Sequence, residues 1–149
     1  MNPSIRIRET VPADWTDCAS FFREVFNAPP WNEDWSEDAA LQRLADCART
    51  PHFLGLIAED GAEIVALAFG YWQRYQEERH FFLLELCVAT ERQREGIGAG
   101  LLEELHRRLQ ADGVNRIYTL TARDTPAQEF YAKEGFYLSP KMVMLARRY

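Results

Sequence analysis

Three glycines at alternate positions, Gly96, Gly98 and Gly100, separate the apolar run "HFFLLELCVAT" from the leucine-rich "LLEELHRRL". A strand, a bare turn and a helix together form a device for holding an anion. The first N–H groups of a helix have no partner within it, and the helix dipole adds positive potential at that end. Glycine removes the side chains that would keep a phosphate away. Arg92 and Arg94 add charge beside the turn. Glycines that serve only a tight strand-to-helix connection are the competing reading, and the glycines alone do not separate the two. Just upstream, Glu85 interrupts "FLLELCV". A carboxylate there is costly unless it faces a cleft, pairs with an arginine or lies at a sheet surface. Alternation along the strand points it away from Leu84, Leu86 and Val88.

Two phosphate-binding devices are excluded by spacing. A dinucleotide fingerprint needs Gly-x-Gly-x-x-Gly in an early strand–helix unit, whereas the third glycine here comes one position early and several strands precede it. The chain that follows is too short for a doubly wound sheet. A phosphate-binding NTPase loop would require Gly-Lys-Ser/Thr, which is absent.

The elements that must position these residues fit one domain spanning 1–149, with a formal charge of −6 from 17 basic and 23 acidic residues. That balance argues against a nucleic-acid partner and suits a cationic one. Cys18, Cys47 and Cys87 are widely spaced and odd in number, which fits a reducing compartment, and His52, His80 and His106 have no zinc-like spacing. No run reaches membrane-spanning length and the start is unlike a signal peptide. The expectation is a cytoplasmic, metal-free domain, with a homodimer left open.

"SIRIRE" alternates as a strand, and Trp15, Cys18, Ala19, Phe22, Val25 and Phe26 recur at helical spacing. Ser36 is placed to N-cap a second helix with Leu41, Leu44, Ala45 and Ala48 on one face. Two strands then meet at Asp60-Gly61, and "RYQEER" reads as a polar break before the Glu85 strand, itself expected to be covered on both faces. Leu101, Leu102, Leu105 and Leu109 mark a helix ended by Gly113. "NRIYTLT" is a strand, and "TPAQ" starts a short helix, with Thr125 as N-cap and Gln128 completing a capping box. "GFYL" and "KMVMLARR" read as closing strands. The class is a mixed α+β domain.

Gln93-Arg94-Glu95-Gly96-Ile97-Gly98 matches Gln/Arg-x-x-Gly-x-Gly/Ala, the central motif of the GNAT superfamily of acyl-CoA-dependent N-acetyltransferases. Downstream, Asp124, Ala127, Phe130, Tyr131, Gly135 and Phe136 occupy a second pattern of that superfamily, Asn-x-x-Ala-x-x-φ-Tyr-x-x-x-Gly-Phe, with φ apolar. Asp124 stands where Asn is common, and an aspartate accepts the same hydrogen bonds without donating them. The chain thus resembles a GNAT enzyme over its whole length. The resemblance implies a central mixed, mostly antiparallel sheet flanked by about four helices, with splayed fourth and fifth strands. It implies acetyl-CoA as cofactor, with pantetheine along Leu86, Cys87 and Val88. The pyrophosphate would lie on the amides from Gln93 through Gly98, Ala99 would adjoin them, and Asp124, Ala127 and Tyr131 would complete the site.

Acetyl transfer to an amine needs the neutral amine, which is mostly ammonium at pH 7. Glu85 is then the candidate general base, directly or through water. A backbone N–H around Val88 is the candidate oxyanion donor. Tyr131 matches the family's usual hydrogen-bond donor to the leaving thiolate; packing alone is the competing reading. Cys87 reads as a small core residue, so direct attack without a covalent intermediate is expected. In "PPWNEDWSED", Trp31 and Trp35 with Glu33, Asp34, Glu37 and Asp38 form a candidate wall for a cationic substrate, with Tyr71, Trp72 and Tyr75 a further aromatic edge. Anchoring of the loop by its tryptophans is the equal alternative.

The resulting expectation is an N-acetyltransferase acting on a primary amine, a polyamine- or aminoglycoside-like small molecule. A peptide N-terminus or lysine is the rival acceptor, and a non-catalytic acyl-CoA-binding regulatory module the rival class.

Overall fold

Five strands in the order β1-β2-β3-β4-β5 make one sheet: β1 (Ile5–Glu9), β2 (Phe53–Asp60), β3 (Glu63–Tyr75), β4 (Glu78–Val88) and β5 (Arg116–Thr119). The first four pair antiparallel and β5 joins β4 in parallel. The computed structural model describes residues 2–149. They fall into two compact units, a first ending at Thr119 and a second of Leu120–Tyr149. The mixed, mostly antiparallel sheet and four helices are the architecture expected from the sequence.

Helices α1 (Trp15–Asn27) and α2 (Glu37–Ala48) cover one face of the sheet. Cys18, Phe22, Val25, Ala40, Leu44 and Cys47 close on Ile57, Leu67, Phe69 and Cys87 there. Ser36 caps α2 as expected, its hydroxyl accepting from Ala39 N–H at 3.1 Å. The buried stripe of α2 is Ala40, Leu44 and Cys47, whereas Ala45 and Ala48 of the expected face are only half-buried. Leu41, half-buried, flanks the stripe. Helix α3 (Ile97–Ala111) packs across β1–β4, with Leu101, Leu102 and Leu105 fully buried.

Three local expectations are corrected. The β2–β3 turn is Gly61–Ala62, one residue later than expected, with Gly61 at φ +63° and Asp60 paired to Glu63. "RYQEER" is no break: Arg74 pairs with Arg79 and Tyr75 with Glu78, leaving a two-residue turn. Backbone pairing continues past the core because a polar hairpin end can project into solvent on both faces. The closing strands do not form among the described residues, and Leu138, Met142, Val143, Met144 and Leu145 are exposed. An alternating pattern states which side chains share a face but supplies no ladder partner, and without one a strand does not exist. In the second unit, α4 (Pro126–Lys133) begins with Thr125 accepting from Gln128 N–H at 3.3 Å.

Candidate active site

The glycine turn has the form an anion needs. Gly96 caps α3 in the left-handed conformation, φ +82°, with no side chain bonded to the helix's first amides and no acidic residue in its first turn. The first backbone bond of the helix runs from Gly100 N–H to the Gly96 carbonyl at 3.0 Å. The amides of Ile97, Gly98 and Ala99 therefore point out of the helix end, unclaimed by the described residues. Arg94 also has positive φ, +66°. Arg92 is committed elsewhere, to Asp60 at 3.0 Å and Glu95 at 2.9 Å, which straps the turn to the end of β2. Gln93 donates its side-chain amide to the Val88 carbonyl at 3.3 Å, joining the turn to the end of β4. Arg94 and Gln93 are exposed, while Ile97 and Gly98 are buried where the turn enters the helix.

Strands β4 and β5 part company at this end. Their pairing ends at Leu83 with Thr119, although β4 continues to Val88. Ala89 donates its N–H to the Val65 carbonyl across β3 at 2.8 Å. N–H directions alternate along a strand, so the Val88 N–H turns the opposite way, toward the edge that β5 leaves uncovered. Leu86 shares that orientation two residues earlier. Cys87 lies between them in the core on the helix-covered face, and burial pushes its thiol well above the usual range. A neutral thiol in that position is no nucleophile.

An irregularity in β4 sets the aim of Glu85. Phe69 faces Glu85 and Gly70 faces Leu83, so Leu84 is an extra residue without a partner. A bulge of this kind lets two successive residues lean over the same face. Leu84 accordingly packs on the α1–α2 side, together with the register of Glu85, Phe69 and Cys87. This corrects the simple alternation expected from sequence, in which Leu84 and Glu85 point apart. Beyond the bulge, the strand is also less covered than expected, since Leu84, Leu86 and Val88 are only half-buried.

Glu85 is the one buried acidic side chain of the described residues, 8 % exposed. Its Oε1 accepts from Arg43 Nε of α2 at 2.5 Å. Burial raises its pKa above the ordinary carboxylate range; Arg43 opposes the rise and the charge of Glu33 adds to it. The arginine-paired reading of this residue is thus correct as to contact. The pair also stands at a cleft, because Arg43 lines an open cavity of about 450 Å³ with Trp35, Asp46, Cys47, Tyr71 and Leu84.

The loop before α2 supplies part of that wall. Trp35 packs edge-on to Phe22 with ring centroids 5.1 Å apart, and the Arg43 guanidinium sits 5.5 Å from its ring. Its indole N–H donates to Glu33 at 2.5 Å. Asn27 fixes its backbone through two bonds, 2.8 Å to the N–H and 3.0 Å to the carbonyl, which also accepts from Arg23. Trp35 therefore serves both readings, as loop anchor and cleft wall. Trp31 instead packs on Phe26, 5.6 Å between centroids, and does not line the cavity. Asp34 is exposed and outside the lining. Tyr71 of β3 lines the cavity, edge-on to Phe82.

In the second unit, Tyr131 of α4 lies edge-on to Phe130 and Phe136, at 5.3 and 5.1 Å. Asp124 takes a left-handed conformation, φ +58°, and its N–H donates to Gln128 Oε1 at 2.6 Å. The capping box thus closes one residue before the N-cap. Ala127 lies in the first turn of α4.

Arg43, Asp46 and Cys47 were not singled out by sequence. A buried carboxylate announces that it needs a cation, but the chain offers many arginines and only packing selects one. The bulge left no signal either, since "FLLELCV" reads as regular alternation.

Residues 15–136 match the model of the Acetyltransferase (GNAT) family. A search of curated proteins gives no match. Among solved structures, the chain is similar to the aminoglycoside acetyltransferase meta-AAC0020 from an uncultured soil metagenomic sample, in complex with trehalose. The identity is 21 %, with 99 % of this chain and 98 % of that one covered and a TM-score of 0.77. The aminoglycoside N-acetyltransferase AAC(6')-Iy in complex with CoA is 16 % identical over 97 % of this chain and 95 % of that one, TM-score 0.76. A transcriptional regulator from Bacillus halodurans C-125 is 17 % identical over 97 % and 99 %, TM-score 0.77.

Proposed function

Because the chain belongs to the acetyltransferase (GNAT) family, we propose that it is an N-acetyltransferase moving an acetyl group from acetyl-CoA to a primary amine by direct attack. We take residues 1–149 as the one domain that does so. The observation that carries the reading is Glu85, a buried carboxylate paired with Arg43 of an open cleft, on the stretch of β4 that β5 does not pair.

Acetyl-CoA, when bound, supplies an acyl group already activated as a thioester. The amides from Gln93 through Ala99 fit its pyrophosphate, since among the described residues no side chain caps the first turn of α3 and Gly96 keeps it bare. Arg94 adds charge there. Leu86, Cys87 and Val88 offer a strand edge for an extended chain, and the Val88 N–H is a donor for charge developing on a carbonyl oxygen. Asp124, Ala127 and Tyr131 enter by motif, Tyr131 as hydrogen-bond donor to the departing sulfur.

Glu85 takes the proton from the ammonium of the acceptor, directly or through water. A carboxylate raised above its ordinary range is a better base near neutrality than a solvated one. Trp35 and Tyr71 provide aromatic faces, and Glu33 and Asp46 carry negative charge nearby, which suits a cationic amine. Trp31 and Asp34 act on this reading through the loop rather than the cleft. The acceptor proposed is a small polyamine- or aminoglycoside-like molecule. The aminoglycosides named for the similar structures agree with that class.

The test is thiol release from acetyl-CoA across amines, polyamines, aminoglycosides, and peptides with free N-termini or lysines. Turnover with small cations supports the reading. Preference for peptides moves the acceptor class, and bound CoA without any turnover establishes a non-catalytic binding module instead.

A further inference from the structure

We propose that Arg43 is a positioning residue for this reaction, fixing the carboxylate of Glu85 through one oxygen and leaving the other uncommitted. The inference rests on the assignment of Glu85 as general base. The contact is single and lopsided: Nε of Arg43 meets Oε1 of Glu85 at 2.5 Å. A forked, two-bond pairing is the usual strong arrangement of arginine with a carboxylate, and it would occupy both oxygens. Here Oε2 receives no hydrogen bond from the described residues and keeps its lone pairs for a proton.

Arg43 is held from three directions. Its helix is locked in rotation by Ala40, Leu44 and Cys47, all buried against the sheet. Its guanidinium sits over Trp35, whose backbone is tied to Asn27 and Arg23. Its Nε is tied to Glu85. A lysine could supply charge but neither the planar stacking nor the directional Nε–H.

The electrostatic setting gives this arrangement a consequence. Facing Glu85 are Arg43 and Cys47 of α2, Glu33 of the preceding loop and Cys87 on its own strand. Burial pushes the Cys47 thiol up to about 12, so it brings no charge near neutral pH. Cys87, also pushed up by burial, brings none either. Among the described residues, Arg43 is then the one cation opposing burial and the Glu33 charge. Without it, Glu85 would hold its proton to higher pH and fail as a base over the range where it now works.

The experiment compares the parent with Arg43→Gln, Arg43→Lys and Glu85→Gln. The readouts are the pH profile of kcat/KM with the best amine of the panel, and the titration of the Glu85 side-chain carboxyl by 13C NMR. Thermal unfolding and acetyl-CoA affinity report whether each variant is folded. Arg43→Gln should move the acid limb and the NMR midpoint upward by about 1–3 pH units, the effect of a nearby opposite charge. Arg43→Lys should recover part of that shift, and acetyl-CoA affinity should hold. An acid limb that survives Glu85→Gln removes the general-base assignment. A limb lost in Glu85→Gln but unmoved in Arg43→Gln overturns the role of Arg43 alone. If no amine is turned over, an unmoved NMR midpoint overturns it.

Discussion

The side-chain amide of Gln93 reaches back 3.3 Å to the carbonyl of Val88, closing the end of β4 onto the turn that opens α3. Two parts of the proposed cofactor site, a strand edge and a helix N-terminus, are thereby fixed relative to each other. Their mutual geometry is set before any ligand arrives, which lowers the ordering cost of binding.

Gly96→Asp is expected to weaken acetyl-CoA binding by at least about tenfold, or roughly 1.4 kcal/mol. The substitution puts a β-carbon at φ +82° and a negative charge where an anion is to sit. Gly96→Ala isolates the backbone part, about 1–2 kcal/mol of left-handed strain. Calorimetry with acetyl-CoA and thermal unfolding separate the two. Equal affinity in Gly96→Asp and parent would remove the turn from the cofactor site.

Tyr131→Phe keeps the ring contacts with Phe130 and Phe136 and removes only the hydroxyl. Turnover should fall on the order of 10²-fold, the lower range for a lost proton donor. Acetyl-CoA affinity should stay near the parent value. Unchanged kcat would reduce Tyr131 to a packing residue.

Gly70→Ala tests the irregularity that aims Glu85. A β-carbon there would fall 2.6 Å from the Phe81 ring and well inside contact distance of the Phe82 carbonyl. Backbone cannot give way as a flexible side chain does, so overpacking of about 1–3 kcal/mol is expected. Denaturant unfolding measures it. A variant as stable as the parent would show that the strands can separate here without cost.

Arg8→Ala should cost about 1–3 kcal/mol, because Arg8 bridges Asp14 at 2.8 Å and Glu59 at 2.7 Å in a partly buried setting. Arg8 holds the Asp14 carboxyl below its ordinary value of 3.8. A depressed carboxylate stabilises the fold above the unfolded-state value, and that contribution is lost as pH falls through the depressed one. The variant should therefore show a flatter loss of stability below about pH 4. An acid limb identical to the parent's would place the pH dependence elsewhere.

Local chemistry was legible in the sequence wherever neighbours along the chain decide the outcome. The Ser36 and Thr125 caps and the left-handed glycines at the ends of helices all depend on residues a few positions apart. The family resemblance was legible too, because its motifs are such local devices. What only the tertiary structure decided involves partners distant in the chain. Arg43 reaches Glu85 across 42 positions of sequence, and Leu84 becomes an extra residue only against the register of β3. Trp35 enters the cleft wall while Trp31 turns to Phe26, although both are tryptophans of one short loop. The apolar pattern of the last residues specified a strand face but no edge to pair with. The physical reason is common to all four: side-chain type fixes what a residue needs, and only packing in three dimensions selects which distant group supplies it.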